Sequence, residues 1–158
     1  MRLQDSVEIM LVEDNPTDGE LCIRALQRQG LADHLFWAKD GAEAIDFLCC
    51  TGAYAGRDKA AQPKVVFLDL RLPKIDGFGV LLRIRQEEPL RVIPVVVLTS
   101  SNEDCDIVAG YRLGANSFVS KPVEFDRYHV AMAEVARYWL RLNRPPYGGL
   151  MRAAGDNT

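Results

Sequence analysis

Histidine is scarce, with two residues in 158, and cysteine is nearly so, with four. Cys22, Cys49, Cys50 and Cys105 follow no zinc-ligand spacing, and the adjacent Cys49 and Cys50 lie on a stretch with helical character. Neither a zinc site nor a disulfide framework is expected, and the thiols read as reduced and partly buried. Long apolar runs are missing: none approaches the roughly 18 residues that a membrane span needs. No charged and then apolar leader with a small-residue cleavage site is apparent, so the expectation is a cytoplasmic protein that makes no membrane contact. Runs of basic residues are missing too. With a formal net charge of −3, the chain has no positive field of the kind that draws in nucleic acid, which argues against direct DNA binding. Internal repeats are absent.

What the chain does have suits one globular domain: 48% hydrophobic and 26% charged residues, enough for a sizeable core. Strand-like and helix-like segments alternate along it. Apolar runs at 7–12, 35–38, 65–68, 94–98 and 116–119 read as strands. Between and after them, helices are expected over 16–29, 41–50, 78–88, 102–114 and 124–143. Asn15 can cap the first helix, Pro16 suits its first turn and Gly30 stops it; Asn102 is expected to cap the fourth. A loop rich in Gly, Ala and polar residues covers 51–63. The expected domain is 1–143, followed by a flexible tail at 144–158. Five strands alternating with five helices imply a parallel sheet with helices on both faces, because parallel neighbours need crossover connections.

The third strand carries a puzzle. "VVFLDLRLPKIDG" reads as a strand buried on both faces, yet Asp69 sits at its carboxyl end, and a carboxylate is rarely buried alone. In open α/β sheets, ligands bind beyond the carboxyl ends of the strands. The first strand ends in Glu13 and Asp14, the fourth in Thr99 and Ser100, and the fifth leads through Ser120 to Lys121. Taken singly, each has an ordinary reading as a helix-capping, dipole-matched or solvated residue. Together they suit one chemistry. Three carboxylates brought to about 4 Å repel by about 4 kcal/mol per pair at an effective dielectric near 20, so they call for a cation. A set without His or Cys suits Mg2+, leaving Asp69 as a nucleophile, with Lys121 and Thr99 to neutralise and hold a phosphoryl group.

The blocks "LVEDNPTD", "FLDLRLPKIDG", "VVVLTSS" and "GANSFVSKPV", in that order and spacing, resemble the receiver domains of two-component response regulators over 7–143. The resemblance implies a flavodoxin-like (βα)5 fold, an α/β architecture whose five-stranded parallel sheet has the order 2-1-3-4-5. It further implies Asp69 as phosphoacceptor, Glu13 and Asp14 as the acidic pair for Mg2+, and the Arg71 backbone carbonyl as a further ligand. Thr99 and Lys121 become phosphate contacts, Phe118 takes the aromatic switch position, and the bond from Lys121 to Pro122 is expected to be cis.

The implied function is a response regulator that accepts a phosphoryl group from a sensor histidine kinase and signals by protein–protein interaction. Its target would be a downstream protein or a phosphotransfer protein, and its only catalysis would be self-phosphorylation and autodephosphorylation. "VEDNPTD", the long loop at 51–63 and the lack of an output domain are similar to the stand-alone receivers that serve phytochrome-type kinases. His34 and His129 read as structural, so the phosphoryl donor must be another molecule.

A haloacid-dehalogenase-like aspartyl phosphatase is the alternative, but that class needs a second aspartate where this chain has Arg71. A flavodoxin-like cofactor binder is disfavoured by "EDNP", which places acids where a phosphate-cradling loop would be Gly-, Ser- or Thr-rich. The Arg71 guanidinium could cover the phosphate, pair with Glu13 or face solvent. In the last helix, Tyr128, Met132, Val135, Trp139 and Leu142 recur at spacings of four and three. A helix of about 30 Å overhangs a strand of about 17 Å, so a homodimer is expected through Tyr128, Trp139 and Leu142.

Overall fold

The computed structural model of the chain describes residues 3–100 and 103–146. Its five strands are β1 (Ile9–Val12), β2 (Leu35–Ala38), β3 (Val65–Leu68), β4 (Val95–Thr99) and β5 (Ser117–Ser120). All pair in parallel, in the order β2-β1-β3-β4-β5. Every residue of β1, β3 and β4 is buried, whereas β2 and β5 at the edges are partly exposed. That division follows from covering a parallel sheet on both faces, which demands continuous apolar runs in its central strands.

Side chains alternate between two cores, as the two-residue period of a strand requires. Met10, Val12, Val66, Leu68, Val95 and Val97 face α2 (Gly41–Cys49) and α3 (Gly77–Gln86). Ile9, Leu11, Val65, Phe67, Val96 and Leu98 face α1 (Pro16–Arg28) and α5 (Phe125–Arg137). The remaining helix, α4 (Asp104–Arg112), buries only Gly110. It is the least anchored of the five.

Local signals set the helix ends. The Asn15 side-chain Oδ1 accepts from the N–H groups of Thr17 and Asp18, and Gly30 takes a φ of 68° just past the end of α1. Asp40 and Asp76 cap α2 and α3 through the N–H groups of Glu43 and Gly79. Asn102 lies outside the described residues, and Glu103 stands at the N-cap of α4 without a capping hydrogen bond. All four cysteines are unpaired, with Cys22 and Cys50 buried, Cys49 half-buried and Cys105 exposed. Among the described residues no helix is long and apolar enough to cross a membrane.

Two segments differ from expectation. The loop at 51–63 is organised around a buried arginine: Arg57 donates to the carbonyls of Phe47 and Ala61, and its guanidinium carbon lies 3.6 Å from the Phe47 ring centroid. The last helix does not run as one α-helix to Asn143. After Arg137 it widens into a π-helical turn, Tyr138–Leu142, marked by the five-residue hydrogen bond from Asn143 N–H to the Tyr138 carbonyl. The wider turn breaks the heptad-like seam. Tyr128, expected at a dimer interface, is 7% exposed and packs inward, leaving little surface for a partner; Trp139 packs against the α1/α5 core, and Leu142, at 76% exposure, projects outward. The expected tail falls almost wholly outside the described residues.

Candidate functional site

Because all five strands run the same way, their carboxyl ends meet at one edge of the sheet, and the residues just beyond them converge. Glu13 and Asp14 follow β1, Asp69 follows β3, Thr99 ends β4, and Lys121 follows β5. Ligand oxygens of Glu13, Asp14 and Asp69 lie within 4.8 Å of one another. The Lys121 ammonium reaches into this group, with Nζ 2.6 Å from Glu13 Oε2 and 3.0 Å from Asp69 Oδ2. Glu13, Asp69 and Thr99 are buried, at 3%, 9% and 1% exposure, while Asp14 faces solvent. The cluster is thus walled by protein on its inner side and open on one flank.

Backbone groups complete it. Asn15 N–H donates to Glu13 Oε1 at 3.1 Å, and Arg71 N–H donates to Asp69 Oδ1 at 3.1 Å. Lys121 N–H donates to the Thr99 carbonyl at 2.8 Å, tying β5 to β4 at the site. The loop after Asp69 folds back on it: a Cβ at Gly77 would come within 2.3 Å of the Asp69 carbonyl oxygen, so only glycine fits there. Asp69 is therefore fixed at both its backbone and its carboxylate.

The electrostatics follow from burying like charges together. Burial pushes the Glu13 carboxyl up to about 7; the Lys121 ammonium works against that rise and the neighbouring Asp69 adds to it. Burial alone would push Lys121 down, but hydrogen bonds and charge from Glu13 and Asp69 outweigh it and hold the ammonium raised. Asp18 brings a further carboxylate, with Oδ2 3.4 Å from Lys121 Nζ. The carboxylates outnumber the ammonium, and hard oxygen donors in this number, without nitrogen or sulfur, fit a divalent ion such as Mg2+.

The expected residues assemble, with two qualifications. The Lys121–Pro122 bond is not cis: among the described residues the cis peptide bond is Glu88–Pro89. Trans is the ordinary ground state of an X–Pro bond by about 0.5–1 kcal/mol, and Lys121 reaches both carboxylates from it. Arg71 is exposed, and the Glu13 carboxylate it might have paired with is engaged by Lys121 and Asn15. Phe118 sits half-buried beneath α4, its ring 2.9 Å from where a Cβ would stand at Gly110 and its centroid 6.2 Å from that of Tyr111.

Two participants escaped the sequence reading. Asp18 stands in the first turn of α1, where an acidic residue suits the helix dipole, and nothing in its spacing singled it out. Trp37, whose indole N–H donates to the Glu13 carbonyl at 2.8 Å, gave no signal either, because its role depends on strand pairing.

Residues 9–133 match the response regulator receiver domain model. The chain is 40% identical to the probable methanogenesis regulatory protein FilR2 of Methanothrix harundinacea, over 92% of this chain and 92% of that protein. The solved structure of the phosphorylated cyanobacterial phytochrome response regulator RcpA superposes with a TM-score of 0.82 at 34% identity, covering 89% of this chain and 98% of that one. The Mn(2+)-bound form of response regulator Rcp1, a protein of Synechocystis, superposes with a TM-score of 0.81 at 34% identity, covering 89% and 99%. These matches decide against the haloacid-dehalogenase-like alternative, whose second aspartate is here the exposed Arg71. Sequence motifs, strand order and site geometry agree with the comparisons, and the chain belongs to the response regulator receiver domain family, with phytochrome response regulators among its relatives.

Proposed function

We propose that Asp69 is the phosphoacceptor of a response regulator that takes its phosphoryl group from a sensor histidine kinase of the phytochrome type and acts in the cytoplasm. The observation that carries this reading is the meeting of three acidic ligand oxygens within 4.8 Å with a lysine ammonium 3.0 Å from Asp69 Oδ2. In the transfer, a carboxylate oxygen of Asp69 attacks the phosphorus of a phosphohistidine. The O–P bond forms as the P–N bond breaks, and the electron pair of that bond returns to the imidazole nitrogen, leaving an acyl phosphate.

Glu13, Asp14, Asp69 and the Arg71 backbone carbonyl would hold Mg2+, which supplies neutralisation of charge on the phosphoryl oxygens. Lys121 does the same from the other side and pairs with the phosphoryl group once Asp69 is esterified. The Thr99 hydroxyl, at the end of β4, contacts a second phosphoryl oxygen. Neither histidine of the chain is placed as donor. The backbone of His34 joins β1 at the opposite edge of the sheet, through its carbonyl to the N–H groups of Glu8 and Ile9, and His129 packs edge-to-face on Phe125 along α5.

The response passes through Thr99 and Phe118 to α4, which Gly110 alone anchors by burial, and so to a downstream protein target or phosphotransfer protein. A homodimer forms through the exposed end of the last helix, with Leu142 and the half-exposed Tyr138 replacing the buried Tyr128. Incubation with a small phosphodonor and Mg2+, read by intact mass, should add one phosphoryl group to the wild type and none to Asp69→Asn. Multiple turnover of phosphate esters, or equal labelling of Asp69→Asn, would overturn the reading.

A further inference from the structure

Glu13 is fixed at both ends of its own backbone by the edge strand β2. Its N–H donates to the Ala38 carbonyl at 3.0 Å, and its carbonyl accepts from the Trp37 indole N–H at 2.8 Å. The indole in turn lies against the first turn of α1. A Cβ at Gly19 would stand 2.1 Å from the ring carbon Cζ2, so the indole occupies the space that glycine leaves, and the Lys39 ammonium lies 5.3 Å from the ring centroid. One side chain thus joins β2, the β1–α1 junction and α1, the three pieces that set where Glu13 and Asp14 stand.

We propose that Trp37 is a positioning residue of the acidic site: its indole N–H, acting through the Glu13 carbonyl, sets the affinity of the Glu13, Asp14 and Asp69 cluster for a divalent ion. This rests on the reading of that cluster as an ion site. Carboxylates held this close repel, and a backbone left free at the end of β1 lets them separate before an ion arrives. Groups that orient metal ligands from behind are typically worth 10- to 100-fold in affinity. The fixed carbonyl is such a group. Trp37→Phe keeps an aromatic ring on β2 but removes the donor, together with the part of the indole that fills the space at Gly19.

Mn2+ binding followed by electron paramagnetic resonance of the free ion tests this directly. Trp37→Phe should bind Mn2+ about tenfold more weakly, while the ion-free variant keeps the wild-type circular dichroism spectrum at the temperature of the titration. A second measurement leaves Trp37 in place. In Trp139→Phe it is the sole tryptophan, and Mg2+, which is diamagnetic, should change its emission on saturation. Wild-type Mn2+ affinity in folded Trp37→Phe would overturn the proposal; should that variant not fold, an emission unmoved by Mg2+ in Trp139→Phe would do so. Asp14→Ala separates the two readings. If it loses Mn2+ binding and Trp37→Phe does not, only the role of Trp37 fails; if it binds as the wild type does, the ion site itself fails.

Discussion

Lys121 is the residue through which the charges of this site are proposed to reach its response. Its ammonium bridges Glu13 and Asp69 at 2.6 and 3.0 Å, with Asp18 at 3.4 Å, and its backbone N–H is bonded to Thr99. Lys121→Ala removes the bridging charge but leaves the nucleophile and the acidic trio. It should still accept a phosphoryl group, more slowly, while failing to pass the change to α4. Intact mass would report the first, and amide hydrogen exchange over Asp104–Arg112 the second; wild-type exchange changes in the phosphorylated variant would contradict the role given to Lys121. Most of the site was legible at this scale, because Glu13, Asp14, Asp69, Thr99 and Lys121 each stand at a strand end, and strand ends can be read from apolar runs. Trp37 was not legible. An indole at the end of an edge strand looks like any half-buried aromatic until the pairing of Leu11 with Trp37 is known.

At the scale of elements, the strands and helices fall where apolar runs, caps and glycines place them, with ends shifted by at most two residues outside the last helix. The exceptions share a cause. The π-helical turn at Tyr138–Leu142 and the buried Arg57 both depend on packing partners distant in sequence or on a choice of hydrogen-bond register, neither of which residue spacing encodes. Arg57 knits its loop to the end of α2, donating to the Phe47 and Ala61 carbonyls. Removing it strands buried acceptors that had a charged donor, and each such bond is worth about 1.5–3 kcal/mol. Arg57→Ala should therefore lower the unfolding free energy by about 3 kcal/mol in urea denaturation and leave Asp69 phosphorylation intact; a change under about 0.5 kcal/mol would show that the loop contributes nothing to stability. At the far end of the chain, the exposed apolar surface of Tyr138 and Leu142 is the element from which the dimer is proposed. Leu142→Glu should shift light-scattering mass toward the monomer without altering the fold. A wild type already monomeric at high concentration, with and without phosphodonor, would refute the dimer.

For the molecule as a whole, parallel strand order does the assembling. Five carboxyl ends on one edge bring residues 13, 14, 69, 99 and 121 together although they span most of the chain, and two cores of alternating strand residues hold the edge rigid beneath them. The sheet core is fully buried while α4 buries only Gly110, which is why α4 is proposed as the part that responds. The chemistry proposed for this edge is the esterification of Asp69. After incubation with a small phosphodonor and Mg2+, borohydride reduction of an aspartyl phosphate leaves homoserine, which peptide mass spectrometry can place. Homoserine is expected at position 69 and at no other aspartate, dependent on Mg2+; homoserine at another position, or a phosphoryl group that borohydride does not remove, would contradict the assignment of Asp69.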